Sequence, residues 1–317
     1  MGSSYLFLNN IRVHYLHWDP KNDGQPVVLL HGLASNARIW ELLVPTLLQH
    51  SLNPLAFDQR GHGLTDKPDG DYGFETFSHD LAAFLEACSL ERPVLVGHSW
   101  GAWVALDFAA RFPVGPLAPS ALVMVDGGTH HWRDDPEATW EAVSQRLKPP
   151  PLAGMRLSTF LKNLNNPQRQ WIPDERATSI ILGNFEIHEN ELDADHPNGN
   201  SGEEDDGRIY PNLSLDHHMQ ILRAMWDFDI YQRYRRLRCP VLMVAALPPR
   251  PYSQEEEAYI AIKRKGTEAV QQMVKDLTLT WMPDTIHDIP LQKPVELGET
   301  MASFITQNDE NHRGISG

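Results

Sequence analysis

Apolar residues along this chain arrive in short dense runs separated by longer amphipathic stretches, and that rhythm predicts strands and helices in turn. Pro26-Val27-Val28-Leu29-Leu30, Pro54-Leu55-Ala56-Phe57, Pro93-Val94-Leu95-Val96 and Ala121-Leu122-Val123-Met124-Val125 are continuously apolar, as expected of strands covered on both faces. Between them Trp40 to His50 and Phe74 to Cys88 have helical spacing, and Ala102 to Ala110 predicts another helix. Ahead of them, Tyr5–Leu8 and Ile11–Leu16 flank Asn9-Asn10, a hairpin signal around a two-residue turn. Strands alternating with helices imply a largely parallel sheet with helices on both faces.

After Asp126 the rhythm stops. Residues 129–236 are rich in Trp, Arg, Pro and acidic side chains, with helical stretches and no buried-strand run. They include Pro149-Pro150-Pro151 and a tract, His196 to Gly207, that reads as a loop-like insert. The rhythm resumes at Pro240–Ala245, followed by a charged helix (Gln254 to Asp276), a last strand (Leu277–Met282) and a closing helix (Pro294 to Thr306). The expected organisation is therefore a first core part, 1–128, an inserted helical segment, 129–236, a second core part, 237–306, and a polar tail, 307–317.

Composition narrows the setting. A chain of 317 residues can bury a large core, and 41% hydrophobic with 22% charged residues is ordinary for a globular protein. The net charge of −15 argues against nucleic acid or an anionic membrane as the main partner, since both require a positive surface. No apolar run approaches the ~20 residues that span a bilayer, and the first residues lack a basic-then-apolar leader pattern. Cys88 and Cys239 stand far apart in apolar settings, which predicts two buried thiols rather than a disulfide. The expectation is a cytoplasmic protein with a small-molecule substrate and neither nucleic-acid nor membrane partners. Whether it forms a homo-oligomer is left open.

The chemistry concentrates at Gly97-His98-Ser99-Trp100-Gly101, between an apolar run and a helix. Gly-x-Ser-x-Gly is common by chance, but at a strand-to-helix pivot the serine hydroxyl projects above the sheet. A serine needs a base within hydrogen-bond reach. His287, in the loop after the last strand, supplies one in the nucleophile-first, histidine-last order of serine hydrolases on α/β sheets. Asp288 beside it reads as a turn residue, because adjacent side chains rarely aim at each other. His130-His131, His188, His196 and His217-His218 lack a metal-binding spacing, and no glycine-rich phosphate loop is present, so no cofactor is expected. The acidic tract Glu186 to Asp206 reads as a solvated loop. Arg233 to Arg238 reads as a basic patch paired with acidic neighbours.

Four motifs in order, His31-Gly32-Leu33, Asp58-Gln59-Arg60-Gly61-His62-Gly63, the Ser99 pentapeptide and Thr285-Ile286-His287-Asp288, resemble the α/β-hydrolase superfamily. The similarity is to the branch with a helical cap after the sixth strand. The resemblance implies a mostly parallel eight-stranded sheet with helices on both faces, and an oxyanion hole from the backbone N–H groups of Leu33 and Trp100. It makes Arg60 and His62 structural struts and leaves the Trp100 side chain between pocket lining and core packing.

Most relatives carry the triad acid after the seventh strand. Here that strand runs into Leu247-Pro248-Pro249-Arg250, with no carboxylate before Glu255. Some branches place the acid at the end of the sixth strand, so the resemblance points to Asp126. Epoxide hydrolases and haloalkane dehalogenases of this fold carry a carboxylate where Ser99 stands, so Ser99 implies an acyl-enzyme. Cap residues Trp132, Trp140, Phe160, Trp171, Phe185, Met219 and Trp226 are the expected apolar pocket. The reading is a cofactor-independent serine hydrolase of a small to medium hydrophobic carboxylic ester or lactone. Its alternatives are a proline iminopeptidase-like aminopeptidase and a non-catalytic binding protein of the same fold.

Overall fold

Asn9 and Asn10 both adopt positive φ, 47° and 63°, and asparagine tolerates that region well enough to close a tight hairpin. The turn joins β1 (Gly2–Leu8) to β2 (Ile11–His17), with Leu8 opposite Ile11. The computed structural model describes residues 1–18, 24–189 and 207–314.

The sheet continues with β3 (Pro26–Leu30), β4 (Asn53–Phe57), β5 (Val94–His98) and β6 (Ala121–Val125). Three short strands follow, β7 (Met155–Arg156), β8 (Phe185–His188) and β9 (Arg208–Pro211), forming a small antiparallel sheet of their own. The main sheet then resumes with β10 (Val241–Leu247) and β11 (Leu277–Pro283). Its eight strands run in the order β1-β2-β4-β3-β5-β6-β10-β11. β2 pairs antiparallel with β1 and β4, and all other neighbours are parallel.

Strand period sorts the core into two layers. Val27, Leu29, Val94, Val96, Val123 and Val125 face one side, with α1 (Val44–Gln49) and Leu297, Met301 and Ile305 of the closing helix. Val28, Leu30, Leu95, Leu122 and Met124 face the other, under α2 (Phe74–Ala87) and α3 (Trp100–Arg111). Successive strand residues point to opposite faces, so an uninterrupted apolar run is what a sheet buried on both sides requires.

Between β6 and β10 lie α4 (Trp140–Leu147), α5 (Leu157–Leu164), α6 (Glu175–Leu182), α7 (Leu215–Asp227) and α8 (Ile230–Tyr234). This segment holds the small three-stranded sheet as well as helices. Its strands are short and fully bury only Ile209, so they leave no apolar run to read in the sequence. Hydrogen bonds from both sides fasten the segment to the core. Arg233 Nε donates to Asp107 Oδ1 (2.8 Å), a fully buried carboxylate on α3 that Ser78 and Arg111 also bond. Asn36 and Arg38 donate to the carbonyls of Ile180 (3.1 Å) and Ser179 (2.9 Å) on α6.

Three expectations need correction. The helix expected over Trp40 to His50 is a 3-10 turn (Ala37–Trp40) followed by α1, because Pro45 fits only a first helical turn. The charged helix, α9 (Gln254–Gln271), stops five residues early. After α10 (Ile289–Gln292), the closing helix α11 runs Pro294–Gly314, past the expected end at Thr306, because no proline interrupts it. Cys88 and Cys239 are unpaired but only half-buried. The tract 196–207 and most of the acidic stretch fall outside the described residues. Among those described, no helix is long and apolar enough to cross a membrane.

Candidate active site

β5 ends at His98, and Ser99 follows with φ 53° and ψ −120°, a strained conformation for any residue but glycine. The pivot is tight. A Cβ on Gly97 would fall 2.3 Å from the Gly101 carbonyl oxygen, and one on Gly101 2.4 Å from that of Leu30. The serine thus stands half-buried at the N-terminus of α3, with its hydroxyl clear of the sheet.

Three strand ends meet here. Ser99 Oγ lies 2.8 Å from His287 Nε2, and His287 Nδ1 lies 2.6 Å from Asp126 Oδ2. Asp126 directly follows β6, with φ 44°. His287 sits in the turn after β11, which Thr285 holds by accepting from Leu247 N–H (3.3 Å) and donating to the Met282 carbonyl (2.6 Å). An ionised carboxylate only accepts, so Nδ1 carries the proton and Nε2 is left to accept from the serine. The His287 side chain is 51% exposed while Asp126 is 4% exposed: the ring faces outward and the acid behind it is sealed.

Charge follows geometry. Desolvation alone would raise the Asp126 pKa, but the His287 hydrogen bond and the nearby Lys263 ammonium hold it well below the carboxylate range. At His287 loss of water pulls the pKa down, and the hydrogen bond and charge of Asp126, helped by Asp288, more than reverse this and raise it. His98 is driven to about 4, first by burial and then by His287. It is therefore neutral near pH 7, and its Nε2–H donates to the His287 backbone carbonyl (2.8 Å).

The N–H of Trp100, first in α3, has no partner within its helix. The N–H of Leu33, in the turn after β3, makes no hydrogen bond among the described residues. That turn lies against the serine: a Cβ on Gly32 would be 3.2 Å from Ser99 Cβ. It is braced by His31, whose Nδ1–H donates to the Gly32 carbonyl (2.8 Å) and whose Nε2 accepts from Gln59 N–H (3.0 Å). The Trp100 side chain is 1% exposed, stacked on His62 and edge-on to Phe77, so it packs in the core. Arg60 pairs with Asp80 at 2.8 Å, and His62, held near 3 by burial and His31, bonds the Arg60 carbonyl.

The seven aromatic and apolar pocket candidates divide. Trp132 packs against Trp103, while Trp140 and Trp226 form a further contact pair beside His131. Phe160 and Phe185 meet edge to face, Met219 joins the core layer of α3, and Trp171 packs into the opposite layer. None of the seven has a hydrogen bond or ring contact to Ser99, His287 or Asp126. Among the described residues no cluster of His, Cys, Asp or Glu is placed to hold a metal.

Lys263 is a residue that sequence reading missed. Its Nζ lies 2.6 Å from Asp126 Oδ1 and 3.0 Å from the Ala246 carbonyl oxygen. The signal was present: Ile260, Lys263, Thr267 and Val270 form the buried stripe of α9, and a lysine on an apolar stripe needs a partner.

A model of the Alpha/beta hydrolase family matches residues 27–299, and the chain belongs to that family. Among curated proteins it is similar to a non-heme chloroperoxidase of Streptomyces lividans, 36% identical over 111 residues, covering 35% of this chain and 40% of that one. It is also similar to a 2-(acetamidomethylene)succinate hydrolase of Mesorhizobium japonicum, 36% identical over 93 residues, covering 29% and 33%. The chain thus spans only 33–40% of the length of these curated relatives. Its fold resembles a crystal structure of E-2-(acetamidomethylene)succinate hydrolase, with a TM-score of 0.68, 20% identity and coverage of 96% and 98%. An enol-lactonase from Burkholderia xenovorans gives 0.63, 14%, and coverage of 96% and 100%. At such identities the likeness concerns the fold alone.

Proposed function

Taking the chain as a member of the Alpha/beta hydrolase family, we propose that it is a cofactor-independent serine hydrolase. Its substrate would be a small to medium hydrophobic carboxylic ester or lactone, cleaved through an acyl-enzyme. The observation that carries this reading is the hydrogen-bonded row Ser99–His287–Asp126, at 2.8 and 2.6 Å, on a strained pivot. A non-catalytic protein has no need to hold a serine at that cost in backbone strain with an imidazole against it.

In this mechanism Ser99 Oγ attacks the substrate carbonyl carbon as its proton passes to His287 Nε2. Asp126 fixes the ring tautomer and stabilises the imidazolium. The Leu33 and Trp100 N–H groups hold the oxygen as it gains charge, a contribution of about 3 kcal/mol per donor. Collapse breaks the bond to the leaving oxygen, which takes the proton from Nε2; in a lactone that oxygen stays tethered to the acyl chain. Water, deprotonated by His287, then attacks the acyl carbon, and the proton returns to Ser99.

Short p-nitrophenyl esters, aliphatic lactones and proline arylamides, each tried with the protein and its Ser99→Ala variant, test the reading. Turnover of esters or lactones that Ser99→Ala abolishes is expected. Faster turnover of proline arylamides would replace it with the aminopeptidase, and equal rates for both proteins would sink it.

A further inference from the structure

We propose that Lys263 is a positioning residue of the Ser99 site, reaching from the buried stripe of α9 to hold one oxygen of Asp126 and aim the other at His287. The inference rests on the serine-hydrolase reading and assigns a residue that none of the family motifs contains.

The geometry is specific. Asp126 Oδ1 accepts from Lys263 Nζ at 2.6 Å and from Ala246 N–H at 2.9 Å, leaving Oδ2 for His287. Both side chains of the ion pair are 4% exposed. α9 lies close enough for this because Gly266 presses on the segment after β6: a Cβ there would fall 2.3 Å from the Thr129 carbonyl oxygen. Nζ also lies over the Tyr259 and Trp281 rings, 5.5 and 5.8 Å from their centroids. Nζ has a further hydrogen bond, to the Ala246 carbonyl on β10.

The consequence is electrostatic. A buried carboxylate without a cation is costly, and in a Ser-His-Asp row the obvious cation is the protonated histidine, the form that cannot act as base. With Lys263 in place, Asp126 and its neighbours sum to zero while His287 is neutral. Other titratable groups face the pair. His98 and Asp288 lie on the His287 side, and His130 and Tyr259 on the Lys263 side. Burial holds both His98 and His130 near 4 and lifts Tyr259 to about 12, so all three are neutral where His287 titrates. Arg264 packs over the Trp281 ring instead. Lys263 is thus the cation paired with the buried acid.

Lys263→Met removes charge and donor, whereas Lys263→Gln removes the charge and keeps a donor. Thermal melts establish that the variants fold, and the glutamine variant carries the test if the methionine variant does not. Two quantities are read: the His287 titration by NMR, assigned with His287→Gln, and the acid limb of kcat/KM on a p-nitrophenyl ester. Both variants are expected to move both quantities up by about one pH unit. Turnover at pH 7 then falls about tenfold and recovers toward wild type at pH 9. A merely structural lysine would lower turnover equally at all pH values. Unmoved titration and limb in a folded variant would overturn the inference, as would a glutamine variant that titrates like wild type. If wild type turns over no ester yet the titration moves, the hydrolase reading fails and the hold of Lys263 on Asp126 stands.

Discussion

Two Ser–His–Asp rows stand among the described residues, and by distance they are nearly indistinguishable. Ser3 Oγ lies 2.8 Å from His14 Nε2, and His14 Nδ1 lies 2.7 Å from Asp58 Oδ2; the row at Ser99 has 2.8 and 2.6 Å. Each acid directly follows a parallel strand, β4 or β6. What differs is everything around them. Ser3 is the second residue of β1, paired opposite Leu16 in the regular ladder, and precedes no helix. His14 is 3% exposed, out of reach of a substrate. Asp58 spends its remaining capacity on Ala37 N–H (2.6 Å) and Leu64 N–H (2.9 Å), tying two turns to β2. Asp126 is paired with a lysine, and its histidine faces outward. The comparison teaches that three residue types at hydrogen-bond distance are not a catalytic site. A strained pivot, unpaired amides and an open imidazole separate the proposed nucleophile from a staple.

The sharpest way to break this contrast is to remove each serine. Ser99→Ala is expected to lower kcat at least ten-thousand-fold and abolish fluorophosphonate labelling, while Ser3→Ala keeps both within about twofold. Mass spectrometry of the labelled peptide decides, and a label on Ser3 would invert the assignment. The acids come next. Asp126→Asn should cost about 10³–10⁴ in kcat through loss of the ring tautomer, and it should lower the melt as well because it leaves the buried Lys263 ammonium without its anion. Asp58→Asn should lower stability by about 2–4 kcal/mol because it disturbs a buried, fully bonded carboxylate, but with turnover of the folded protein retained.

pH separates the rows in a subtler way. His287 has a raised pKa and acts as base only when neutral, so kcat/KM should fall as pH drops through a value above 6.5. An acid limb at or below 6.5 would contradict the assignment. In stability terms that raised pKa contributes fully below about 6.5 and is lost as pH rises through the folded value. Asp58 runs the other way. Burial opposes ionisation there, but the hydrogen bonds from His14, Leu64 N–H and Ala37 N–H outweigh it and lower the pKa, so its contribution is present above about 3.8 and lost as pH falls through the folded value. The smallest effect is on backbone strain. Ser99→Gly should stabilise the fold by about 1 kcal/mol by relieving φ 53°, whereas Ser3→Gly should destabilise it by about 0.5–1 kcal/mol in a regular strand. Paired thermal melts measure both.

Much of the fold was legible because its signals are local. Uninterrupted apolar runs at Val27–Leu30 and Leu122–Val125 report burial on both faces, and Asn9-Asn10 reports the hairpin. The exposed strands 155–156, 185–188 and 208–211 escaped, since they bury too little to pattern the sequence. At the proposed site, a pivot and a chain order pointed to Ser99 and His287, which the fold brings within 2.8 Å of each other. Asp126 was reached by resemblance and by the empty turn after β10. Lys263 was passed over, although its place on an apolar stripe marked it, because the partner that explains it lies 137 positions earlier. The row at Ser3 left no trace, for a serine, a histidine and an aspartate in separate elements have no spacing to read.

The sequence by itself determined which segments pair into the sheet, where the strand ends fall, and which serine stands on a strained pivot, because apolar period and turn chemistry act over a few residues. Only the tertiary structure decided which of two serine rows faces outward and which carboxylate carries a buried cation. It also decided that Trp100 packs inward rather than toward a ligand. Those outcomes depend on distance and desolvation between elements far apart in the chain, and local pattern does not encode them.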